Sequence, residues 1–151
     1  MNTMQTIIRV IIADDHELYR DGFRSMLKRI PELDLVGEAA DGKELLQLTC
    51  ELQPDVIVTD IKMPRMDGIE ATQLIKKDFP GINIIALSMF DDESLIVDML
   101  EAGAKGYLLK NAHKEEIVEA VKAVYKNEVY YCNQTTLKLA KMIAASNYNP
   151  L

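Results

Sequence analysis

Residues 7–15 have the sequence IIRVIIADD, and the fold prediction begins from this segment. Its apolar run is nearly continuous and rich in β-branched residues, which is typical of a strand that is buried on both faces. Two aspartates, Asp14 and Asp15, follow directly where the run ends. The stretch therefore predicts a central strand of a covered parallel sheet, with two carboxylates at its carboxyl end.

Four further apolar runs predict four more strands. They cover residues 33–39, 56–59, 82–88 and 106–109. The run over 33–39 is interrupted by acidic residues, which suits a strand at the edge of a sheet. The other three are short and apolar, as buried parallel strands are.

The segments between these runs have helical spacing. In the first of them, Tyr19, Phe23 and Leu27 recur at intervals of four, and Pro31 ends the pattern. Five units, each a strand followed by a helix, predict an α/β domain whose parallel, doubly wound sheet carries helices on both faces. In such a sheet ligands bind at the carboxyl ends of the strands, near the point where the strand order reverses.

The C-terminal segment has a different pattern. Residues 132–145 place apolar side chains on one face and lysines on the other, which predicts a short sixth helix, and residues 147–151 have the composition of a frayed tail. We therefore predict one domain over residues 1–128, followed by a linker with a short helix over residues 129–151.

The composition excludes several classes of protein. The 151 residues include 17 Lys and Arg against 24 Asp and Glu, a net charge of -7, so the chain is a poor binder of nucleic acid or anionic membranes on its own. No apolar stretch approaches the ~20 residues of a membrane helix, and no secretory signal is visible at the N-terminus. Cys50 and Cys132 lie too far apart for a CxxC zinc site and favour a reducing compartment. We expect a soluble cytoplasmic protein.

Polar residues stand where the predicted strands end. Asp14 and Asp15 follow the first strand, Asp60 the third, Ser88 ends the fourth, and Lys110 follows the fifth. Because the carboxyl ends of parallel strands share one edge, these side chains are expected to converge. Three carboxylates in one pocket repel each other, and a hard divalent cation such as Mg²⁺ relieves that repulsion. A lysine and a hydroxyl complete a set that suits a phosphoryl group carried on a carboxylate.

The motifs that contain these residues resemble those of the receiver domain of two-component response regulators. They read IADDH (12–16), VTDIKMPRMDG (58–68), ALS (86–88) and GYLLK (106–110), and the resemblance extends from about residue 8 to residue 125. The DDH opening and the GYLLKN block are most similar to the NarL/FixJ (LuxR-type) subfamily. The resemblance implies a flavodoxin-like fold with strand order 2-1-3-4-5.

The resemblance also implies what the acidic residues do. Asp60 is expected to accept a phosphoryl group from the phosphohistidine of a sensor histidine kinase. Asp14 and Asp15, together with Asp60 and the backbone carbonyl of Lys62, are expected to hold Mg²⁺. The protein would not be an enzyme in the usual sense, because it catalyses only its own phosphorylation and dephosphorylation.

Three further residues receive roles from the resemblance. Lys110 would pair with the phosphoryl group, Ser88 would move to bond it, and Tyr107 would change rotamer with it. Many receivers have a proline after the lysine with a cis peptide bond, whereas this chain has Asn111. Because a cis bond without proline costs ~2.5–4 kcal/mol, we expect a trans bond here.

The resemblance implies partners outside this chain. Members of the subfamily usually carry a C-terminal helix-turn-helix, which these 151 residues do not contain. Contact with DNA and control of transcription would pass through that output domain. A homodimer is expected, with the segment after residue 128 as linker or dimer element, and no membrane partner is expected.

Simpler interpretations compete for several residues. Asp15 is also a candidate cap for the first helix, and His16 at a helix start is more often structural than catalytic. The Lys62 side chain either modulates phosphate hydrolysis or is a solvated loop lysine. At the motif Asp67-Gly68 we expect a turn and the cap of the third helix.

Other functions are possible for the same pattern. A Mg²⁺-dependent aspartyl-phosphate phosphatase would need an aspartate two residues after the nucleophile, where this chain has Lys62. A flavin-binding domain is disfavoured because the acids of the first turn would repel the flavin phosphate. The fold used purely as a dimerisation module, without phosphorylation, remains an alternative.

Overall fold

The computed structural model describes residues 6–89, 92–132 and 143. These residues form an α/β domain in which strands and helices alternate. The strands are β1 (Ile8–Ala13), β2 (Leu33–Ala39), β3 (Val56–Asp60), β4 (Asn83–Ser88), β5 (Gly106–Leu109) and β6 (Tyr130–Tyr131). The helices are α1 (Glu17–Leu27), α2 (Gly42–Leu52), α3 (Gly68–Asp78), α4 (Glu93–Ala102) and α5 (Lys114–Tyr125). The first five strands lie within one residue of their predicted bounds.

The six strands form one parallel sheet in the order β2-β1-β3-β4-β5-β6. The predicted order 2-1-3-4-5 is therefore confirmed. The chain moves outward from β1 to β2 and then returns to place β3 on the other side of β1. This reversal sets the carboxyl ends of β1 and β3 side by side, where the register pairs Ala13 with Thr59.

A sixth strand corrects the prediction of a five-stranded sheet. Tyr130 and Tyr131 pair with Gly106 and Tyr107 of β5, so the sheet extends past residue 128 into the segment predicted as linker. Two residues are too few to display a strand pattern, which is why the sequence did not reveal them. Apart from residues 132 and 143, the helix predicted over 132–145 lies outside the described residues, as does the predicted tail over 147–151.

The core lies on both faces of the sheet. On one face, α1 and α5 pack against β1, β3 and β4 through Phe23, Leu27 and Val121. On the other face, α2, α3 and α4 bury side chains such as Ile75 and Met99. Each fully buried aliphatic side chain stabilises the fold by about 1.5–3 kcal/mol, so the apolar strands hold the edge that carries the polar residues in a fixed position.

Aspartates begin three of the helices. The side chains of Asp41, Asp67 and Asp92 accept backbone hydrogen bonds at the starts of α2, α3 and α4. The cap expected at Asp67 is thus present. The N-cap residue of α1 is His16, whose side chain makes no capping bond, so the capping role considered for Asp15 was wrong. Among the described residues, every helix is too short or too polar to span a bilayer.

Candidate functional site

The carboxyl edge of the sheet brings together the polar residues that follow β1, β3 and β5. Nζ of Lys110 lies 2.7 Å from Oδ2 of Asp14 and 3.0 Å from Oδ2 of Asp60. Asp14 is fully buried and Asp60 is nearly so. The lysine therefore bridges two buried carboxylates that come from neighbouring strands.

The two carboxylates control the charge of the lysine. Burial by itself would lower the pKa of Lys110, but hydrogen bonds and charge attraction from Asp14 and Asp60 outweigh it and raise the pKa. Lys110 is consequently a fixed positive charge at neutral pH. A compact ammonium at this position is suited to attract the oxygens of a phosphoryl group.

The pKa of Asp60 is raised, whereas an acid in a simple salt bridge has a lowered pKa. Burial raises it above its usual range, the Lys110 ammonium opposes the rise, and the neighbouring Asp14 adds to it. Oδ1 of Asp60 accepts a hydrogen bond from the backbone amide of Ile61 at 2.8 Å. Both carboxylate oxygens are thus held, one by a backbone amide and the other by Lys110, so the group is oriented before any reaction.

Asp15 and His16 lie beside the two buried carboxylates in one cluster. Ligand atoms of Asp14, Asp15, His16 and Asp60 all lie within 4.8 Å of one another. Nδ1 of His16 is 2.9 Å from Oδ1 of Asp14 and 3.2 Å from Nζ of Lys110. Three carboxylates around one point repel each other unless a cation joins them, and this oxygen donor set fits Mg²⁺.

The β3–α3 loop, residues 61–67, borders this cluster. Lys62 is exposed and lines the cleft above the carboxylates. The ends of the loop are tied by a hydrogen bond of 2.7 Å from the amide of Gly68 to the carbonyl of Ile61. A Cβ at Gly68 would collide with the carbonyl oxygen of Asp60, which explains why glycine stands there.

The two proposed switch residues lie on adjacent strands. Ser88 is partly buried at the end of β4, lines the cleft, and its carbonyl accepts the amide of Lys110 at 2.8 Å. Tyr107 is completely buried in β5. The peptide bond between Lys110 and Asn111 is trans, as expected, and no cis bond occurs among the described residues.

The cleft above the cluster is large enough for a small ligand. Its volume is about 390 Å³, and it is lined by Asp15, His16, Asp60, Ile61, Lys62, Ser88, Met89, Asp92, Leu95 and Lys110. A larger cleft of about 540 Å³ lies between α1 and β2 and contains none of the clustered residues. The chemistry of the lining, and not the size, makes the cleft above the cluster the candidate functional site.

Sequence reasoning missed two supports of the site in α1. The ring of Tyr19 lies beneath Lys110, with Nζ 5.2 Å from the ring centroid, and burial with the nearby Asp14 and Asp60 raises its pKa. Arg20 donates from Nη1 to the carbonyl of Asp14 at 2.6 Å. The helical spacing predicts only that Tyr19 lies on the apolar face of α1. The sequence did offer one sign of this role, because Tyr19 comes about one helical turn after Asp14 and Asp15.

Comparisons with known proteins agree on one family. The family model described as the response regulator receiver domain matches residues 10–122. The transcriptional regulatory protein DegU of Brevibacillus brevis is 38% identical over 134 residues, which cover 89% of this chain and 57% of that protein. The oxygen regulatory protein NreC of Staphylococcus epidermidis is 41% identical over 133 residues, 87% of this chain and 61% of that protein. The chain thus spans roughly three fifths of the length of these relatives.

A solved structure supports the same conclusion. The crystal structure of a LuxR-family two-component response regulator from Aurantimonas superposes with a TM-score of 0.81 at 29% identity, covering 93% of this chain and 99% of that chain.

Proposed function

Because the chain belongs to the family of response regulator receiver domains, within its LuxR-type branch, we propose that Asp60 accepts a phosphoryl group from a sensor histidine kinase. The observation that carries the proposal is the contact of Asp60 with Lys110, which also pairs with Asp14. Nζ of Lys110 is 3.0 Å from the Asp60 carboxylate, and that carboxylate opens into the cleft. A nucleophile, a fixed cation and a cation-binding acid are therefore within reach of one another.

The proposed reaction is a phosphoryl transfer between nitrogen and oxygen. One carboxylate oxygen of Asp60 attacks phosphorus, and the P–N bond to the donor histidine breaks as the P–O bond forms. The bonding pair stays on the imidazole nitrogen, which takes up a proton. Lys110 supplies positive charge to the transferred group, so the catalytic contribution of the chain is positioning and charge neutralisation. The chain acts on itself and has no separate substrate to turn over.

Mg²⁺ is the proposed cofactor of this step. Asp14, Asp15 and Asp60 would hold it with the backbone carbonyl of Lys62. When bound, the ion neutralises charge on the phosphoryl oxygens. The carboxylate cluster supports the assignment because ligand atoms of the three acids lie within 4.8 Å of one another, while Lys110 pairs with Asp14 and Asp60.

The proposed output is a change in the surface between β4 and α5, which would alter its contacts with partners. Phosphorylation would draw Ser88 towards the phosphoryl group and allow Tyr107 to change rotamer, and the face from β4 to α5 would then contact partners differently. We extend the proposal to a homodimer and to control of transcription through a helix-turn-helix output domain outside this chain. Family membership supports both, and it also supports a cytoplasmic location.

The proposal is tested with phosphoramidate, a small donor with the same P–N bond. Wild-type protein, Asp60→Asn and the control Asp78→Asn, which alters an exposed residue at the end of α3, are incubated with Mg²⁺ or with EDTA. We expect ³¹P NMR to show an acyl phosphate in wild type and in the control, only when Mg²⁺ is present. An acyl phosphate in Asp60→Asn, or equal labelling in EDTA, would contradict the proposal.

A further inference from the structure

The β3–α3 loop is anchored at its beginning by apolar side chains and one backbone bond. Ile61 is 2% exposed and Met63 is 9% exposed, so both are inserted into the core, while Lys62 between them faces solvent. The carbonyl of Ile61 accepts the amide of Gly68. These contacts fix the side chains on either side of Lys62 and close the ends of the loop, and further contacts hold the stretch between them.

The second half of the loop is anchored to the N-terminus of α2. The amide of Gly42 donates to the carbonyl of Met66 at 2.9 Å, and a Cβ at Gly42 would collide with that carbonyl oxygen. Beside this contact, Nε of Arg65 lies 2.8 Å and Nη2 lies 2.6 Å from Oδ2 of Asp41. Two elements that are distant in sequence, α2 and the loop, are thereby joined by a backbone bond and an ion pair.

The Asp41 carboxylate is satisfied on both oxygens. Oδ1 accepts the amide of Glu44 at 2.9 Å as the cap of α2, and Oδ2 accepts Arg65. Asp41 is 2% exposed, so its charge is removed from water. The Arg65 side chain is 66% exposed, so loss of the arginine would remove a surface ion pair and leave the Asp41 carboxylate open to water with its cap bond to the amide of Glu44.

Arg65 also has an unusual backbone. Its φ is +66°, in the left-handed region that residues with a Cβ rarely adopt because it is strained for them. The bonds from its guanidinium to Asp41 offset this strain. Without the bonds to Asp41, we expect the backbone between Met63 and Met66 to relax to a different path.

We propose that Asp41 and Arg65 are positioning residues for the metal site, because they hold the loop that carries Lys62 in the path that the bound cation requires. The inference rests on the proposed function, which assigns the Lys62 backbone carbonyl to Mg²⁺. Neither residue touches the carboxylate cluster. They act through the loop, as outer partners of a metal ligand do.

The test is a calorimetric titration of the full, unphosphorylated chain with Mg²⁺. We expect Arg65→Ala to weaken Mg²⁺ binding by about tenfold, the lower end of losses seen when outer partners of metal ligands are removed. Arg65→Lys keeps the charge but loses the two-nitrogen contact, so it should restore part of the affinity. Asp41→Asn retains an acceptor for the Glu44 amide, so α2 stays capped while the ion pair is lost. The control Arg29→Ala removes an exposed arginine after α1.

A second readout separates positioning from loss of the fold. The rate of labelling by acetyl phosphate should be reduced in Arg65→Ala at low Mg²⁺ and return to the wild-type rate at saturating Mg²⁺. Mg²⁺ affinity of Arg65→Ala and Asp41→Asn equal to that of Arg29→Ala would overturn the inference, as would a labelling defect that saturating Mg²⁺ does not remove. Wild-type protein that binds no Mg²⁺ would overturn the proposed function first, and this inference with it.

Discussion

Nζ of Lys110 lies 3.0 Å from Oδ2 of Asp60, although the two residues are 50 positions apart in the chain. The lysine side chain is 11% exposed and the aspartate side chain 10%, so the pair lies largely out of water. The lysine also reaches Asp14, whose side chain is wholly buried. One cation therefore balances two buried anions, and the stability of this edge depends on it when no metal is bound.

Replacing Lys110 by methionine is expected to destabilise the metal-free protein. Removing one partner of a buried ion pair typically costs about 3–5 kcal/mol, because the remaining charge is left without compensation. Urea unfolding in EDTA measures the effect. Lys77→Met, which changes an exposed lysine in the last turn of α3, is the control. Equal unfolding free energies for the two variants would contradict the role given to Lys110.

The ion pair of Asp41 and Arg65 predicts a pH-dependent stability. The amide of Glu44 is the main cause that lowers the pKa of Asp41, Arg65 lowers it further, and burial opposes both. An acid with a lowered pKa in the folded state stabilises the fold above its unfolded pKa of about 3.9, and the contribution is lost as the pH falls through the folded pKa. The unfolding free energies of wild type and Arg65→Ala should therefore differ at neutral pH and converge in acid. A difference that does not change with pH would contradict this account.

The sixth strand predicts that the domain does not end at residue 128. The amide of Tyr130 donates to the carbonyl of Lys105, and the amide of Cys132 donates to that of Tyr107. At about 1 kcal/mol for each net hydrogen bond, a chain ending at residue 128 should be less stable by about 2 kcal/mol than one ending at residue 132. Thermal unfolding of the two chains provides the comparison. Identical stability would show that β6 adds nothing to the sheet.

The position of Lys62 predicts that its side chain slows the loss of the phosphoryl group from Asp60. Its side chain is exposed and lines the cleft two residues after Asp60, where an ammonium is able to pair with a phosphoryl oxygen or obstruct an attacking water. We expect Lys62→Ala to lose its phosphoryl group severalfold faster than wild type, with Lys77→Ala unchanged. The decay of the labelled protein after removal of the donor gives the rates. Equal lifetimes would assign Lys62 to the solvated surface.

Much of the fold was predictable because buried parallel strands are short, nearly continuous apolar runs rich in β-branched residues, and they alternate here with longer helical patterns. The run that precedes Asp14 and the run that precedes Asp60 are apolar on both faces, and parallel pairing then places their ends together. The strand at Tyr130 was not predictable, because two residues have no period. The approach of His16 to Asp14 and the pairing of Arg65 with Asp41 depend on rotamers and on the path of a loop, which apolar spacing does not determine.

The assignment of Asp60 as the phosphoacceptor is tested by measuring the intact mass of the protein after incubation with Mg²⁺ and acetyl phosphate. Wild type and Asp60→Ala are measured side by side, with a known receiver as positive control. We expect wild type to gain the mass of one phosphoryl group and Asp60→Ala to gain none. A phosphoryl adduct on Asp60→Ala would mean that another carboxylate is the acceptor, and no adduct on wild type while the control is labelled would contradict the proposed function.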